Sequence, residues 1–320
     1  DGGVFGSATD WGLDLNANLA GGAGTLSAPT SATKAFTFSG ATWNTPTTFT
    51  HSSGTVTYDL AGTTTLGNNS TSFNVVTINN GATLASSTYN FTASGSMTLG
   101  SGTSGTFTTS TGTKRVDGTL TINAGASFGT AATAYTLDLN GTLAASAGTL
   151  IAPNGSTFTF SGATWNTPTT FTHSSGTVTF DLAGTTSLGN ASTSFAAISI
   201  SAGATLDTVN ASGFGLTTSA GIAIYGSLLC RGNAISGGSG TTATAGLYNY
   251  DAGVFSGGSG AHVFGSFRNT QNTGSCTMTS GTTTIDSQSG TYCYYIATSA
   301  ATNFNNGTIL ITSPTSKIYA

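Results

Sequence analysis

Charge is what this sequence has least of. Only 5% of its 320 residues are charged, whereas about 25% is typical of soluble domains. All ten acidic residues are Asp, Glu does not occur, and the six basic residues are scattered along the chain. Because Lys and Glu are favoured on exposed helical surfaces, this composition disfavours helices. It also provides no basic stripe, so we expect no nucleic-acid partner.

Long apolar runs and clustered acids are absent as well. No apolar run approaches the roughly 18 residues of a membrane-spanning helix, so we predict no membrane span. Glycoside hydrolysis requires two carboxyl groups beside one scissile bond, and here the acids are dispersed. Asp59 and Asp181 stand in a repeated context, but 122 residues apart. The sequence therefore predicts no catalytic residues and no enzymatic activity.

Cysteine is nearly absent, with Cys230, Cys276 and Cys293 as the three examples. They form no CxxC motif and have no His at ligand spacing, so we predict neither a metal site nor a cofactor. If the spacing between Cys276 and Cys293 corresponds to one turn of a coil, these two are candidates for a disulfide. The third cysteine would then be a lone thiol or pair between chains.

The residues that are abundant indicate β-structure. The chain has 46 Gly, 18 Phe and 10 Tyr, together with many Thr, Ser and Asn. Short runs alternate apolar and small polar residues, as in "GTVTYDL" from Gly54 and "VVTINNGATL" from Val75. Each run stops at Gly, Asn or Ser, which is the pattern of short strands separated by turns.

An internal duplication organises these strands. Residues 36–73 match residues 158–195 with three differences, at an offset of 122 residues. The stretch "SGATWNTPTTFTHSSGTVT" occurs in both copies without change. Similar strands recur without a spacer of helical length, so we predict an all-β fold, a parallel β-helix (β-solenoid) with rungs of roughly 20 residues. We divide the chain into an N-terminal segment 1–12, a duplicated solenoid 13–210, and an aromatic, Gly-rich continuation or cap 211–320.

Several of these runs resemble rungs of known bacterial proteins. "GTLTINAGASF" from Gly118, "VVTINNGATL" from Val75 and "AISISAGATL" from Ala197 are similar to rungs of bacterial surface β-solenoids. That group includes autotransporter passengers and giant secreted repeat proteins, and "SSGTVTFDLAGT" from Ser174 is similar to repeats of the latter. The resemblance covers roughly residues 13–206. It implies a secreted parallel β-helix and no particular activity.

Two aromatic residues and several Thr runs are candidates for ligand contacts. Trp43 and Trp165 occupy equivalent positions before Asn-Thr-Pro. Either they cover a solenoid corner where the chain turns at Pro, or they stack on a glycan. The runs "TTTL", "GTFTTSTGT" and "GTTTI" are typical of ice-binding solenoids, but they are irregular along the sequence. We therefore rank ice binding, like a polysaccharide-degrading activity, behind the other functions.

The function we predict is a non-enzymatic structural subunit of an extracellular filament, sheath or surface fibre. A nearly uncharged solenoid with exposed strand edges is expected to polymerise with copies of itself. The Gly-rich start, with Asp1, Gly2, Gly3, Val4 and Phe5, is our candidate subunit contact through strand addition. The start at Asp1 without Met indicates a removed secretory signal and a secreted, cell-surface protein. The alternative is an adhesin or a protein like a phage tail fibre, with a glycan as its partner.

Overall fold

The computed structural model is built from β-strands alone over the residues that it describes. These are residues 3–5, 11–31, 33–68, 71–102, 104–144, 147–189, 193–209, 215–238, 246–270, 273–286, 292–296, 302–303, 307–312 and 317–319. Within them there are 41 strands and no helix. The chain forms two compact units, the first with residues 1–158 and 168–174, the second with residues 159–167 and 175–320.

The strands of the first unit are short, mostly three or four residues. They are β1 Gly3–Phe5, β2 Leu13–Leu15, β3 Gly24–Ser27, β4 Ala35–Phe38, β5 Thr42–Trp43, β6 Thr48–Thr50, β7 Thr55–Tyr58, β8 Thr63–Leu66, β9 Thr71–Phe73, β10 Val75–Ile78, β11 Thr83–Ala85, β12 Phe91–Ala93, β13 Met97–Leu99, β14 Thr106–Thr108, β15 Thr113–Val116, β16 Leu120–Ile122, β17 Ser127–Phe128, β18 Thr136–Leu139, β19 Thr149–Ile151 and β22 Thr170–Thr172.

The second unit continues the same kind of strand. Its strands, with β20 lying at the division between the units, are β20 Phe158–Phe160, β21 Thr164–Trp165, β23 Thr177–Phe180, β24 Thr185–Leu188, β25 Thr193–Phe195, β26 Ala197–Ile200, β27 Thr205–Asp207, β28 Leu216–Thr218, β29 Gly221–Ile224, β30 Ser227–Leu229, β31 Ile235–Gly237, β32 Gly246–Asn249, β33 Val254–Ser256, β34 His262–Phe264, β35 Phe267–Asn269, β36 Ser275–Thr277, β37 Thr282–Ile285, β38 Tyr292–Ile296, β39 Thr302–Asn303, β40 Thr308–Ile311 and β41 Lys317–Tyr319.

Strands that lie two or three apart in the first unit, and three apart in the second, pair in parallel sheets. In the first unit one sheet has the order β16-β13-β10-β7-β4-β2, and another has β22-β19-β17-β14-β11-β8-β5. A short sheet has the order β1-β3-β6, and β9, β12, β15 and β18 pair in this order in another sheet. A parallel pair usually needs a long crossover, and here the other two strands of the rung provide it. The first unit is therefore a three-sided parallel β-solenoid.

The second unit has the same arrangement. One of its sheets contains the strands from β23 to β41 that pair in steps of three, in the order β41-β38-β35-β32-β29-β26-β23. The other two have the orders β21-β24-β27-β30-β33-β36-β39 and β25-β28-β31-β34-β37-β40. The two units together contain about 12 turns of about 22 residues. The predicted parallel β-helix is confirmed, with rungs slightly longer than expected.

Alternation along each strand separates the core from the outer faces. In β7 and β10 the pattern is half-buried, buried, half-buried, buried, as expected where successive side chains point to opposite sides. The interior is filled with Leu, Ile, Val and Phe side chains that stack from rung to rung. Phe73, Phe91, Phe107 and Phe128 follow one another with ring centroids 4.7–5.5 Å apart. Aromatic contacts of this kind add to the stabilisation from apolar burial.

The duplication is visible as equivalent strands. β7, β8, β9 and β10 begin 122 residues before β23, β24, β25 and β26. Buried Thr64 and Thr186 are equivalent too, and each donates its hydroxyl to a carbonyl one rung earlier, Gly40 O at 2.7 Å and Gly162 O at 2.8 Å. This bond allows a polar side chain inside the solenoid. The predicted divisions at residues 12 and 210 stay predictions from the sequence.

Candidate functional site

Trp43 and Trp165 lie in the core and not at a corner. Both side chains are fully buried, Trp43 in β5 and Trp165 in β21. Trp43 contacts five aromatic rings with centroids 5.0–5.7 Å away. Neither indole presents a face to solvent on which a sugar could stack. The sequence hypotheses placed them on the surface because a Pro follows three residues later, but their strand position points them inward.

The duplicated Asp residues contact the preceding rung, and the duplicated His residues contact their own turns. Asp59 accepts a hydrogen bond from the Ser39 hydroxyl, and Asp181 accepts the equivalent bond from Ser161. His51 and His173 each donate from Nδ1 to the carbonyl of the following Ser, at 3.0 and 2.8 Å. The Asp bonds join the ends of neighbouring strands, and the His bonds hold the turn that follows each His.

The three cysteines are buried thiols. Cys276 lies in β36 and Cys293 in β38, which belong to different sheets of the second unit, and no disulfide joins these two described residues. Their separation along the sequence is shorter than a rung, so it does not place the two side chains above one another. Burial raises the pKa of Cys276 to about 12 and raises that of Cys230 further. Thiols of this kind are poor nucleophiles.

The candidate subunit contact at the start of the chain is a strand paired within its own unit. Gly3, Val4 and Phe5 form β1, which is parallel to β3 in the register Gly3↔Gly24, Val4↔Thr25 and Phe5↔Leu26. β1 is the outermost strand of its sheet. Asp1 and Gly2 lie outside the described residues. The contact of this segment with another subunit stays a prediction.

A groove of about 460 Å³ on the second unit is a candidate for a ligand site. Its floor consists of small residues on adjacent rungs, among them Ala197, Ser199 and Ala223. One wall is formed by Tyr248, Tyr250 and Arg268. We call this site the tyrosine groove. Its volume falls within the range of small-molecule sites, roughly 300–1,000 Å³.

The parallel register creates the step between floor and wall. Ser199 pairs with Ala223, Ala223 with Tyr248, and Tyr248 with Arg268, so the four form one outward column over four rungs. The column changes from small to large side chains between Ala223 and Tyr248. A ligand that lies on Ser199 and Ala223 therefore contacts Tyr248 with its edge.

The wall is an ordered stack. Tyr225 and Tyr250 occupy successive rungs with centroids 4.9 Å apart and planes inclined by 10°, and Tyr248 lies 6.0 Å from Tyr250 at 11°. The Arg268 guanidinium carbon is 5.3 Å from the Tyr248 centroid, which is within cation–π distance. The pKa of Tyr250 is raised, chiefly by burial and also by the neighbouring tyrosines. Its hydroxyl is thus neutral at physiological pH.

Arg268 differs from two other arginines of the chain. Arg115 lies 2.6 Å from Asp117, and Arg231 binds Asp207 with two hydrogen bonds of 3.1 and 2.7 Å. No carboxylate among the described residues forms an ion pair with Arg268, and its buried Nε has no hydrogen-bond partner there. The groove therefore combines an apolar floor, an aromatic wall and one guanidinium without a carboxylate.

A second regular feature lies on the first unit. Thr63, Thr83, Thr106, Ser127, Thr149 and Thr170 are in register on six successive rungs and point outward. Three of these rungs carry a second outward Thr two residues later, at Thr65, Thr108 and Thr172. We call this array the threonine face. The sequence hides it, because rungs of unequal length make the Thr runs look irregular.

The tyrosine groove also escaped the sequence analysis. Tyr248 and Tyr250 lie in the segment 211–320, which the sequence marks as aromatic. However, Tyr225 comes about one rung before Tyr250 in the sequence, and Arg268 comes nearly one rung after it. Only the rung register brings them together. A signal that could have found them is the recurrence of outward polar or aromatic residues once per rung.

No group of three or more His, Cys, Asp or Glu side chains suited to a metal ion occurs among the residues that the structure describes. Nor does that part contain a helix long and apolar enough to cross a membrane.

Comparison with known proteins gives no relative. The β-solenoid repeat architecture is established by the structure, and the resemblance to bacterial surface proteins remains a prediction from the sequence. No protein-family model, curated protein or solved structure matches the chain.

Proposed function

We propose that this chain is a non-enzymatic structural subunit that stacks end to end with copies of itself into an extracellular filament, sheath or surface fibre. The observation that carries the proposal is a parallel solenoid with 5% charged residues, in which each rung is a template for the next. An apolar column runs through the second unit to its outermost strand β41. Ile222, Leu247, Phe267, Tyr294 and Ile318 are in register and face inward. Their exposed fractions are 0, 0, 0, 6 and 60%.

The neighbouring strands of this rung support the proposal. β39, β40 and β41 are each the outermost strand of a sheet. Ile311 is half-buried, whereas Ile285, its partner in register, is fully buried. Edge strands with apolar side chains are templates for pairing with another chain. A further rung placed here would bury Ile318 and complete the three ladders.

The first rung offers a surface of matching chemistry. Leu13 and Leu15 of β2 are half-buried, while their partners in register, Phe36 and Phe38, are fully buried. The last rung exposes one edge of its parallel strands, and the first rung exposes the opposite edge. The last rung of one copy can therefore pair with the first rung of the next. Such head-to-tail contacts generate open filaments when they do not close. With 5% charged residues, little repulsion opposes the stacking.

The assembly is tested with the 320-residue chain and one terminal substitution. We expect the unchanged chain to form particles that lengthen with concentration, measured by light scattering and negative-stain microscopy. Ile318→Lys places a charge in the apolar end of the core and should raise the concentration needed for assembly at least tenfold.

Val263→Lys is the matched control, because Val263 is a 37% exposed apolar residue on a strand within the second unit. It should assemble like the unchanged chain. A chain that stays monomeric at all concentrations, or an Ile318→Lys variant that assembles normally, contradicts the proposal.

A second candidate function rests on the threonine face. Neighbouring rungs are about 4.8 Å apart, and alternate residues of a strand about 6.6 Å apart. The face therefore offers hydroxyl and methyl groups in a regular two-dimensional array, an arrangement suited to ordering water in an ice-binding protein. The array is less complete in its second column, where Ala85 and Ile151 replace Thr.

Ice binding is tested by thermal hysteresis and inhibition of ice recrystallisation. If the face binds ice, Thr106→Lys in its centre should reduce the hysteresis by at least half. Thr98→Lys should leave it unchanged, because Thr98 belongs to a threonine column on another sheet of the same unit. Absence of hysteresis in the unchanged chain, or an equal loss in both variants, excludes this function for the face.

A further inference from the structure

The tyrosine groove has the composition of a site for a ring-shaped anion. We propose that it binds an acidic sugar unit of a polysaccharide, with the sugar ring on the small-residue floor and its carboxylate on Arg268. This inference goes beyond end-to-end assembly, since the groove lies on a side of the second unit and includes none of the terminal strands β39 to β41.

The floor suits one flat ring. Ala197 and Ala223 are half-buried and present only methyl groups, and Ser199 between them adds a single hydroxyl. A pyranose ring has an apolar face of C–H groups that can pack on such a surface, while its equatorial hydroxyls point outward to water. Tyr248 and Tyr250 close one side, which gives the apolar lining with few polar groups that is typical of ligand sites.

The wall provides the charge that selects the ligand. Arg268 is half-buried, it is in contact with Tyr248, and its buried Nε has no partner among the described residues. A guanidinium presents two parallel N–H groups that match a carboxylate. Such a ligand would pair with the terminal N–H groups of Arg268 in the groove and retain the cation–π contact. A cationic ligand would be repelled, and a polyphosphate would need more cations than this single one.

The tyrosine stack fixes the position of Arg268. Tyr225, Tyr250 and Tyr248 have nearly parallel planes on two rungs, and the Tyr248 hydroxyl lies 3.3 Å from Ser266 Oγ. The ring under the guanidinium is thus held from two sides. A site ordered before the ligand arrives loses less conformational entropy on binding.

The test compares an acidic oligosaccharide with the same oligosaccharide after its carboxylates are esterified. Calorimetric titration with tetragalacturonic acid should give saturable binding, and its methyl ester should bind at least tenfold more weakly. Arg268→Gln should weaken binding of the acid by at least tenfold, since a charged hydrogen bond is lost. Arg115→Gln removes the same charge from the first unit and should leave the affinity unchanged.

A second variant does not alter the wall. Ala223→Leu fills the floor and leaves Arg268 in place, so it should also abolish binding while the thermal unfolding temperature stays near that of the unchanged chain. Equal affinity for the acid and its methyl ester would overturn the proposal. So would no binding of either at about 10 mM, ten times the concentration that half-fills a site with a Kd of about 1 mM. Ile318→Lys should bind the acid normally, so failure of assembly and failure of the groove can be told apart.

Discussion

His262 shows how two hydrogen bonds determine the charge of one buried residue. Its Nδ1 accepts the Ile235 N–H at 3.2 Å, and its Nε2 lies 2.8 Å from the carbonyl oxygen of Gly257. A carbonyl oxygen only accepts, so Nε2 carries the proton and the ring is neutral. Phe255 and Phe264 pack around it. Burial lowers its pKa below the ordinary 6.5, and the bond to Gly257 only partly opposes this effect.

This environment predicts a loss of stability in acid. Between pH 7 and 5 the unfolded chain takes up a proton at His262 more readily than the folded chain. The free energy of unfolding therefore decreases as the pH is lowered. The slope from one such group is at most about 1.4 kcal/mol per pH unit. His262→Gln keeps an acceptor and a donor but cannot titrate, and its stability should fall less steeply. Denaturant titrations at pH 7, 6 and 5 measure both slopes, and equal slopes would refute the prediction.

Lys114 is the residue whose position in the structure differs most from the position expected from the sequence. A Lys next to an Arg is expected on a solvated loop, yet Lys114 lies fully buried in β15. Its neighbours in register are Phe91 and Leu137, and its ammonium group donates to the Tyr89 carbonyl. Burial lowers its pKa to about 8. Successive side chains of a strand point to opposite sides, so Lys114 lies inside the solenoid and Arg115 outside.

At the scale of the elements, close stacking of rungs makes some turns dependent on glycine. Gly258, between β33 and β34, has φ +63°, and a Cβ there would lie 1.5 Å from the Arg231 carbonyl oxygen of the preceding rung. Gly203, between β26 and β27, has φ +82° and open space around the same position. Both glycines have a left-handed backbone conformation, but only Gly258 is packed against the neighbouring rung.

Substitution of these two glycines, which lie in the same unit, distinguishes the cost of backbone strain from the cost of steric overlap. Gly203→Ala should lower the free energy of unfolding by about 1 kcal/mol, the usual cost of a left-handed Ala. Gly258→Ala should cost at least about 3 kcal/mol, since the turn must also move away from the rung beneath it. Urea denaturation of both variants measures the difference. Equal destabilisation would mean that the rungs are less tightly packed than the structure indicates.

The strands themselves were largely predictable. Runs such as "GTVTYDL" and "VVTINNGATL" alternate in the way that a half-buried strand requires, and both contain strands, β7 and β10. Their pairing partners were less evident, because successive rungs differ in length by several residues. Turn insertions cost little in a solenoid, so they shift the sequence spacing while the ladder register is kept.

At the scale of the whole molecule, the proposals assign different tasks to different surfaces. Terminal apolar positions such as Ile318 are proposed to join copies of the chain, and the tyrosine groove is proposed to hold an acidic sugar. A structural fibre with a side-facing ligand site is a combination of the two functional classes that the sequence analysis kept apart. The substitutions Ile318→Lys and Arg268→Gln test the two tasks independently.

The sequence by itself determined the all-β solenoid, its duplication and its nearly uncharged composition. It could do so because alternation and repetition are local properties that survive changes in turn length. Only the tertiary structure decided which residues share a column. It placed Trp43, Trp165 and Lys114 inside, aligned the threonine face, and brought Arg268 over Tyr248. Each of these depends on rung register, because contacts between rungs join residues that lie a full turn apart in the sequence and the spacing varies from turn to turn.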